Sequence, residues 1–269
     1  MSMKKTLAVL LLFMKNKTKG RYEYRVSFWI DSVSFVLGYG AQALMMVLLT
    51  QKFETINGWR PVEVMLLYAY TLASYTLANT VMSDVMWRLS QRIRTGDFDQ
   101  TLIKPMSPLA YEIVSGFSAY YLLHFVLAVG MVALGVAGLG VRVTILTVVQ
   151  IACGIVGGAA IQAGVLLMFS AASFFLINNP LSGTFYSNIR PLFEYPITIY
   201  PKFLQILLTV VVPLAFVSFY PVQQISGRAD FGLFPPVFQH LTLPVGLAFL
   251  AIALWVWRAA SRHYTSTGS

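Results

Sequence analysis

The sequence predicts an all-α integral membrane protein with six transmembrane helices, and three observations lead there. Hydrophobic residues make up 57% of the 269, charged residues only 11%, and the mean hydropathy is +0.70. A soluble domain carries roughly 25% charged residues to solvate its surface. Too few charges remain here to cover a globule of this size. The apolar residues also fall in long blocks, where a soluble core would space them periodically. Finally, Lys and Arg are shared unequally between the segments that join those blocks.

The first segment, 1–22, sets Lys4 and Lys5 before an apolar stretch and Lys15, Lys17 and Lys19 after it. It resembles the start of a secretion signal, but no small-residue cleavage site follows. The stretch is too short to span. An amphipathic helix on the cytoplasmic leaflet, lysines toward anionic headgroups, fits it. A frayed basic tail is the alternative.

A helix needs roughly 20 residues to cross about 30 Å of hydrocarbon. Six runs qualify, giving expected spans at 26–50, 63–84, 113–138, 143–172, 203–220 and 239–257. Together they form a permease-like domain over 23–258, followed by a short tail, 259–269. Backbone groups in lipid must pair internally, so the runs are helices. None shows the alternation of an outer-membrane barrel. Asn178, Asn179 and Pro180 break an uncharged run that is too long for one helix, and Pro213 is expected to kink span five and act as a hinge.

An even span count puts both termini on one side. With the termini inside, the inner segments hold 15 of the 19 Lys and Arg residues, and only Lys52, Arg60, Arg142 and Arg228 lie outside. That is the positive-inside pattern. It accounts for the net charge of +9 without nucleic acid as a partner. Trp29, Trp59, Trp87, Trp255 and Trp257 lie near span ends, where indole rings favour the interface.

The inner loop after span two carries the most local information. Arg88, Arg92 and Arg94 continue span two in polar form, and Thr95–Gly96 ends it, glycine being usual just past a helix. Asp97 can cap a second helix, with Gln100 reaching back. Pro105 stops that helix near Lys104. Two turns are not stable alone in water, so the helix needs a surface to rest on. Phe98 and Leu102 are spaced to share one face, with Ile103 beside them. This describes an apolar-tipped knob fitted to a cytoplasmic protein, or a loop tucked under the chain's own helices.

The run from Arg94 to Pro108, RTGDFDQTLIKPMSP, resembles the first cytoplasmic loop of type-2 ABC transporter permeases. The bacterial drug- and viologen-exporter branch is the nearest in kind. The segment VPLAFVSFYP, ending at Pro221 and followed by Gly227, resembles the same branch, as does the order of elements. The resemblance implies a permease subunit of the bacterial cytoplasmic membrane. It would pair with a second permease, identical or related, and with two copies of an ABC ATPase. Asp97, Phe98, Asp99, Gln100, Leu102, Ile103 and Lys104 would form the coupling helix that docks on the ATPase. Residues 1–22 would be the connecting helix, and 221–238 would form short outer re-entrant helices. Export would proceed by alternating access.

The chain contains no phosphate loop. ATP and Mg²⁺ therefore belong to the partner, and no cofactor or metal is expected on this chain. Gly154 and Gly158 lie within span four and suit close helix packing. Asp31 and His124 are the polar residues inside spans with a possible place on a substrate path. An ion pair with Arg25 or Arg21, and a hydrogen-bonded neutral imidazole, are their structural alternatives. No chain of buried carboxylates is evident, which favours a lipophilic or amphipathic substrate over an ion. A non-transporting anchor or assembly subunit, or an intramembrane enzyme, are the alternatives in function.

Overall fold

The computed structural model describes residues 25–52, 58–118, 120–176, 181–184, 188–228 and 232–265, with Thr55 and Asn179. The expected surface helix at 1–22 lies outside the described residues. Among the described residues ten α-helices follow in order: α1 Arg25–Lys52, α2 Pro61–Arg94, α3 Asp99–Leu102, α4 Pro108–Gly116, α5 Tyr120–Gly138, α6 Ile145–Ala171, α7 Leu181–Thr184, α8 Lys202–Ile206, α9 Phe219–Ser226 and α10 Thr242–Ser261. Three are long and apolar enough to cross a membrane: α5 with 19 residues, α6 extended to Phe174 with 30, and α10 with 20. α1 and α2 have 28 and 34 residues, above the length a span requires.

Local chemistry sets the helix ends. Pro61 occupies the first position of α2, and Glu63 reaches back to accept the Arg60 backbone N–H at 2.7 Å. Gly96, at φ 77°, closes the far end in the left-handed region, as its place after Thr95 predicts. Ser107 caps α4 by accepting from the Ala110 N–H at 3.3 Å, and Thr144 caps α6 by accepting from the Thr147 N–H at 3.2 Å.

α2 runs through the centre of the bundle, with Leu66, Leu67, Tyr68 and Tyr70 fully buried. α6 joins it to α10 through two glycine faces. On one face, a Cβ at Gly154 would stand 2.9 Å from the Tyr70 ring, and one at Gly158 would stand 3.1 Å from Ser74 of α2. On the other, a Cβ at Gly157 would lie 2.6 Å from the Thr242 carbonyl, and one at Gly246 would collide with the Gly157 carbonyl. Missing side chains therefore let three backbones approach where apolar burial gives no preference between helix and lipid. α5 runs antiparallel to α2, with Gly135 seated against Leu66 and Gly138 against Val62.

Three spans differ from the sequence expectation. Span three, expected from 113, is cut at Phe117, whose ψ of 126° is extended, and α5 starts at Tyr120. Span five is not one kinked helix. α8 leads into a wider π-wound stretch, Leu207–Val211, and the chain is then extended at Val212 (φ −122°, ψ 103°). It resumes as a 3₁₀ turn, Leu214–Val217, before α9. Pro213 thus marks a break rather than a bend, because it lacks an N–H and forces the residue before it out of the helical region. Span six starts at Thr242, after a separate 3₁₀ turn, Pro236–His240. Trp59 and Trp257, beside the ends of α2 and α10, are buried against the chain at 0% and 2%.

Replacing Gly246 by Leu is expected to part α6 from α10 and lower the melting temperature in detergent, an overpacking cost of about 1–3 kcal/mol. Gly130→Ala, at a position with nothing within 4 Å of the new Cβ, should leave melting unchanged or slightly raised.

Candidate functional site

The segment from Gly96 to Ser107 projects from the end of α2 and turns back into α4. Its helix, α3, is four residues long and lacks the predicted cap. Asp97 instead accepts from the Thr95 hydroxyl at 2.6 Å, and the helix starts two residues later, at Asp99. Phe98 and Leu102 do not share a surface. Phe98 is fully buried, while Leu102 and Ile103 are 48% and 82% exposed. The four residues of α3 do not sustain the regular helical spacing that would have aligned the two side chains. Gln100 and Lys104 are exposed beside Leu102, and the Lys104 ammonium reaches over the Tyr111 ring at 5.9 Å. The result is a small apolar tip standing on a buried base.

Two fasteners hold that base. On one side Arg92, near the end of α2, donates through Nη1 to both Glu112 carboxylate oxygens at 2.7 Å and through Nη2 to the Thr101 hydroxyl at 3.0 Å. Thr101 in turn donates to Glu112 at 3.1 Å. Glu112 is 1% exposed and Thr101 fully buried, so α2, α3 and α4 meet in one closed polar knot. On the other side, the Tyr264 hydroxyl, beyond the end of α10, donates to Asp99 at 2.9 Å. Burial and the Asp99 carboxylate push the Tyr264 phenol up to about 12, so it remains a donor at neutral pH. Its ring meets Phe98 edge-on at 4.9 Å.

A second polar cluster lies halfway along the bundle. Residues Arg190–Phe193 form a 3₁₀ turn, expected on sequence to be an inner loop, that enters between α1 and α2. Arg190 pairs with Glu194 at 3.3 Å and stands over the Tyr75 ring at 4.6 Å. Glu194, 3% exposed, also accepts from Gln42 of α1 at 2.9 Å. Tyr68 donates to Gln42 at 3.3 Å. Thr71 of α2 and Ser218 both donate to the Phe193 carbonyl. Gln162 of α6 completes the level by donating to Ser74 at 2.6 Å. Arg190, counted on sequence among the inner-segment cations, is thus the counter-charge of a buried acid, Glu194.

The remaining predicted residues are scattered relative to these sites. His124 is 2% exposed on α5, with the Phe35 and Tyr120 rings at 4.1 and 4.2 Å. Neither of its ring nitrogens has a hydrogen-bond partner among the described residues, so the expected hydrogen-bonded imidazole is not found. Asp31 lies on α1, and its side chain falls outside the described residues. Gly154 and Gly158 are in the α2–α6 contact, and Pro213 is at the break before α9.

Sequence reading missed Glu112, Thr101, Tyr264, Gln42 and Glu194. One signal was available. The chain has only 10 acids, and each acid in an apolar setting requires a cation. Every described glutamate is buried and paired with arginine: Glu63 with Arg60 and Arg228, Glu112 with Arg92, and Glu194 with Arg190.

A family model described as ABC-2 family transporter protein matches residues 36–268. No curated protein and no solved structure matches the chain.

Arg92→Ala strands a buried carboxylate and should cost about 3 kcal/mol, at the low end for breaking a buried pair because Arg92 keeps some solvent contact. The double change Arg92→Leu with Glu112→Leu removes both charges and should recover most of that loss. Thermal unfolding of the purified chain in detergent measures both.

Proposed function

The chain belongs to the ABC-2 transporter family, and on that membership we propose that it is the permease subunit of an ATP-driven exporter, docked to a separate ATPase through Leu102 and Ile103. The observation that carries this reading is the exposed apolar tip on a base fixed by buried polar contacts. An exposed apolar pair on a surface loop is unremarkable by itself. Here the Arg92–Glu112–Thr101 knot prevents the tip from folding back, so it is presented to a partner. Asp97, Gln100 and Lys104 supply a polar rim around it, and Phe98 and Asp99 supply the base.

On this reading the tip is cytoplasmic, and the complex comprises two copies of the ATPase and two permeases, identical or related. Six crossings are made by α1, α2, α5, α6, the broken stretch from α8 to α9, and α10. The turn Pro236–His240 and α9 lie toward the outer side of the cell membrane. ATP and Mg²⁺ bind in the ATPase, and their energy reaches the bundle as displacement of α3.

The substrate is best assigned as amphipathic. Exposed faces of α1 and of the π-wound stretch, with Leu37, Leu44, Val210 and Val211, suit an apolar body. Gln42 and Tyr39, beside the Arg190–Glu194 pair, offer hydrogen-bonding groups to a polar head. Efflux across the bilayer by alternating access then moves both parts together.

Ile103→Asp and Leu102→Asp are expected to leave membrane insertion and melting unchanged, because both side chains point outward. Each should abolish permease-stimulated ATP hydrolysis in the reconstituted complex. Full stimulation in both variants would defeat the docking assignment.

A further inference from the structure

The docking helix is too short to hold its own angle. Four residues fix few backbone hydrogen bonds, and such a turn is not stable in isolation. Its orientation is therefore set from outside. The Arg92–Glu112–Thr101 knot joins it to α2 and α4. Its link to α6 and α10 is a different structure, built from four aromatic rings.

Phe98, within the loop, meets Phe174, at the end of the α6 extension, with centroids 5.5 Å apart. Phe174 meets Trp257 of α10 at 5.6 Å. Tyr264 closes the group from the tail, 4.9 Å from Phe98 and 6.2 Å from Phe174, and its hydroxyl donates to Asp99 at 2.9 Å. All four contacts are edge-on, the arrangement favoured by the ring quadrupole. Phe98 and Trp257 are buried, so the group is a small core with one wall on the docking loop and the others on α6, α10 and the tail. Beyond this core, α6 and α10 are in backbone contact at Gly157 and Gly246 and form one stiff pair.

We propose that Tyr264 is a positioning residue of the docking helix: its ring and hydroxyl tie Asp99–Leu102 to the ends of α6 and α10. The tie sets the angle at which Leu102 and Ile103 meet the ATPase and carries their displacement into that helix pair. This rests on the docking role given to Leu102 and Ile103 above. The tail is then part of the transmission.

Three variants of the full chain test it: Tyr264→Phe keeps the ring and loses the hydroxyl, Tyr264→Ala loses both, and Asp99→Asn keeps an acceptor. In the purified permease without ATPase, hydrogen–deuterium exchange at the Asp99 and Thr101 amides reads the tie directly. Tyr264→Phe should speed exchange by about threefold to tenfold, the worth of one hydrogen bond, and Tyr264→Ala by more, while Asp99→Asn stays near the parent. In the reconstituted complex, Tyr264→Ala should still bind the ATPase and leave its KM for ATP unchanged, but lower stimulated turnover severalfold, with Tyr264→Phe between. Parental exchange rates and parental stimulation in Tyr264→Ala would overturn the proposal. If no ATPase associates with the parental chain, the docking assignment fails, while the exchange measurement alone still shows whether Tyr264 holds the loop.

Discussion

Burying a carboxylate in an apolar bundle is costly unless a cation and hydrogen bonds meet it, and this constraint organises the fold. Among the described residues three glutamates are buried, at three levels. Glu63 sits at the start of α2 with Arg60 and with Arg228, 165 residues away in sequence. Glu194 sits halfway along with Arg190 and Gln42, 152 residues from it. Glu112 sits at the far end with Arg92 and Thr101. Apolar helices slide past one another at little cost in lipid, since each face is as well solvated by acyl chains as by a neighbour. A buried charge removes that freedom. Glu63 with Arg228 and Arg92 with Glu112 each tie α2 to another element, and Arg190 stands over the Tyr75 ring of α2 at 4.6 Å, so these contacts fix α2 against what surrounds it.

The same requirement explains how the bundle tolerates irregular backbone. Between Arg190 and Val217 the chain changes winding repeatedly and is extended at Val212, which frees backbone groups that a regular helix would satisfy. Side chains take their place. Thr71 and Ser218 donate to the Phe193 carbonyl, and Gln205 donates to the Tyr200 carbonyl at 2.9 Å. Irregular backbone persists where side chains meet its freed groups, as Thr71 of α2 does at the Phe193 carbonyl. A stretch built from short pieces can shift without unwinding a long helix. The α2, α6 and α10 group, locked by glycine contacts, forms the rigid counterpart.

Much of the architecture was legible locally. Apolar blocks named the helices, Thr95–Gly96 ended α2 as glycine predicts, and Pro105 confined the following helix to a short turn. The same local rules misjudged Phe98, because helical spacing assumes a helix long enough to have faces, and α3 has four residues. They also placed Arg190 in an inner loop, since a charge after an apolar run resembles the end of a crossing. Its partner is four residues on, but the cavity that accepts both belongs to α1 and α2.

The sequence by itself determined the solvent, the helical class and the place of the short helix after α2, because charge scarcity, run length and turn chemistry are properties of neighbouring residues. Only the tertiary structure decided which acid meets which cation, that Phe98 faces inward, and that the tail closes over the loop. Those outcomes depend on distances between segments up to 165 residues apart. Burial and electrostatic pairing act through space, and no local pattern records them.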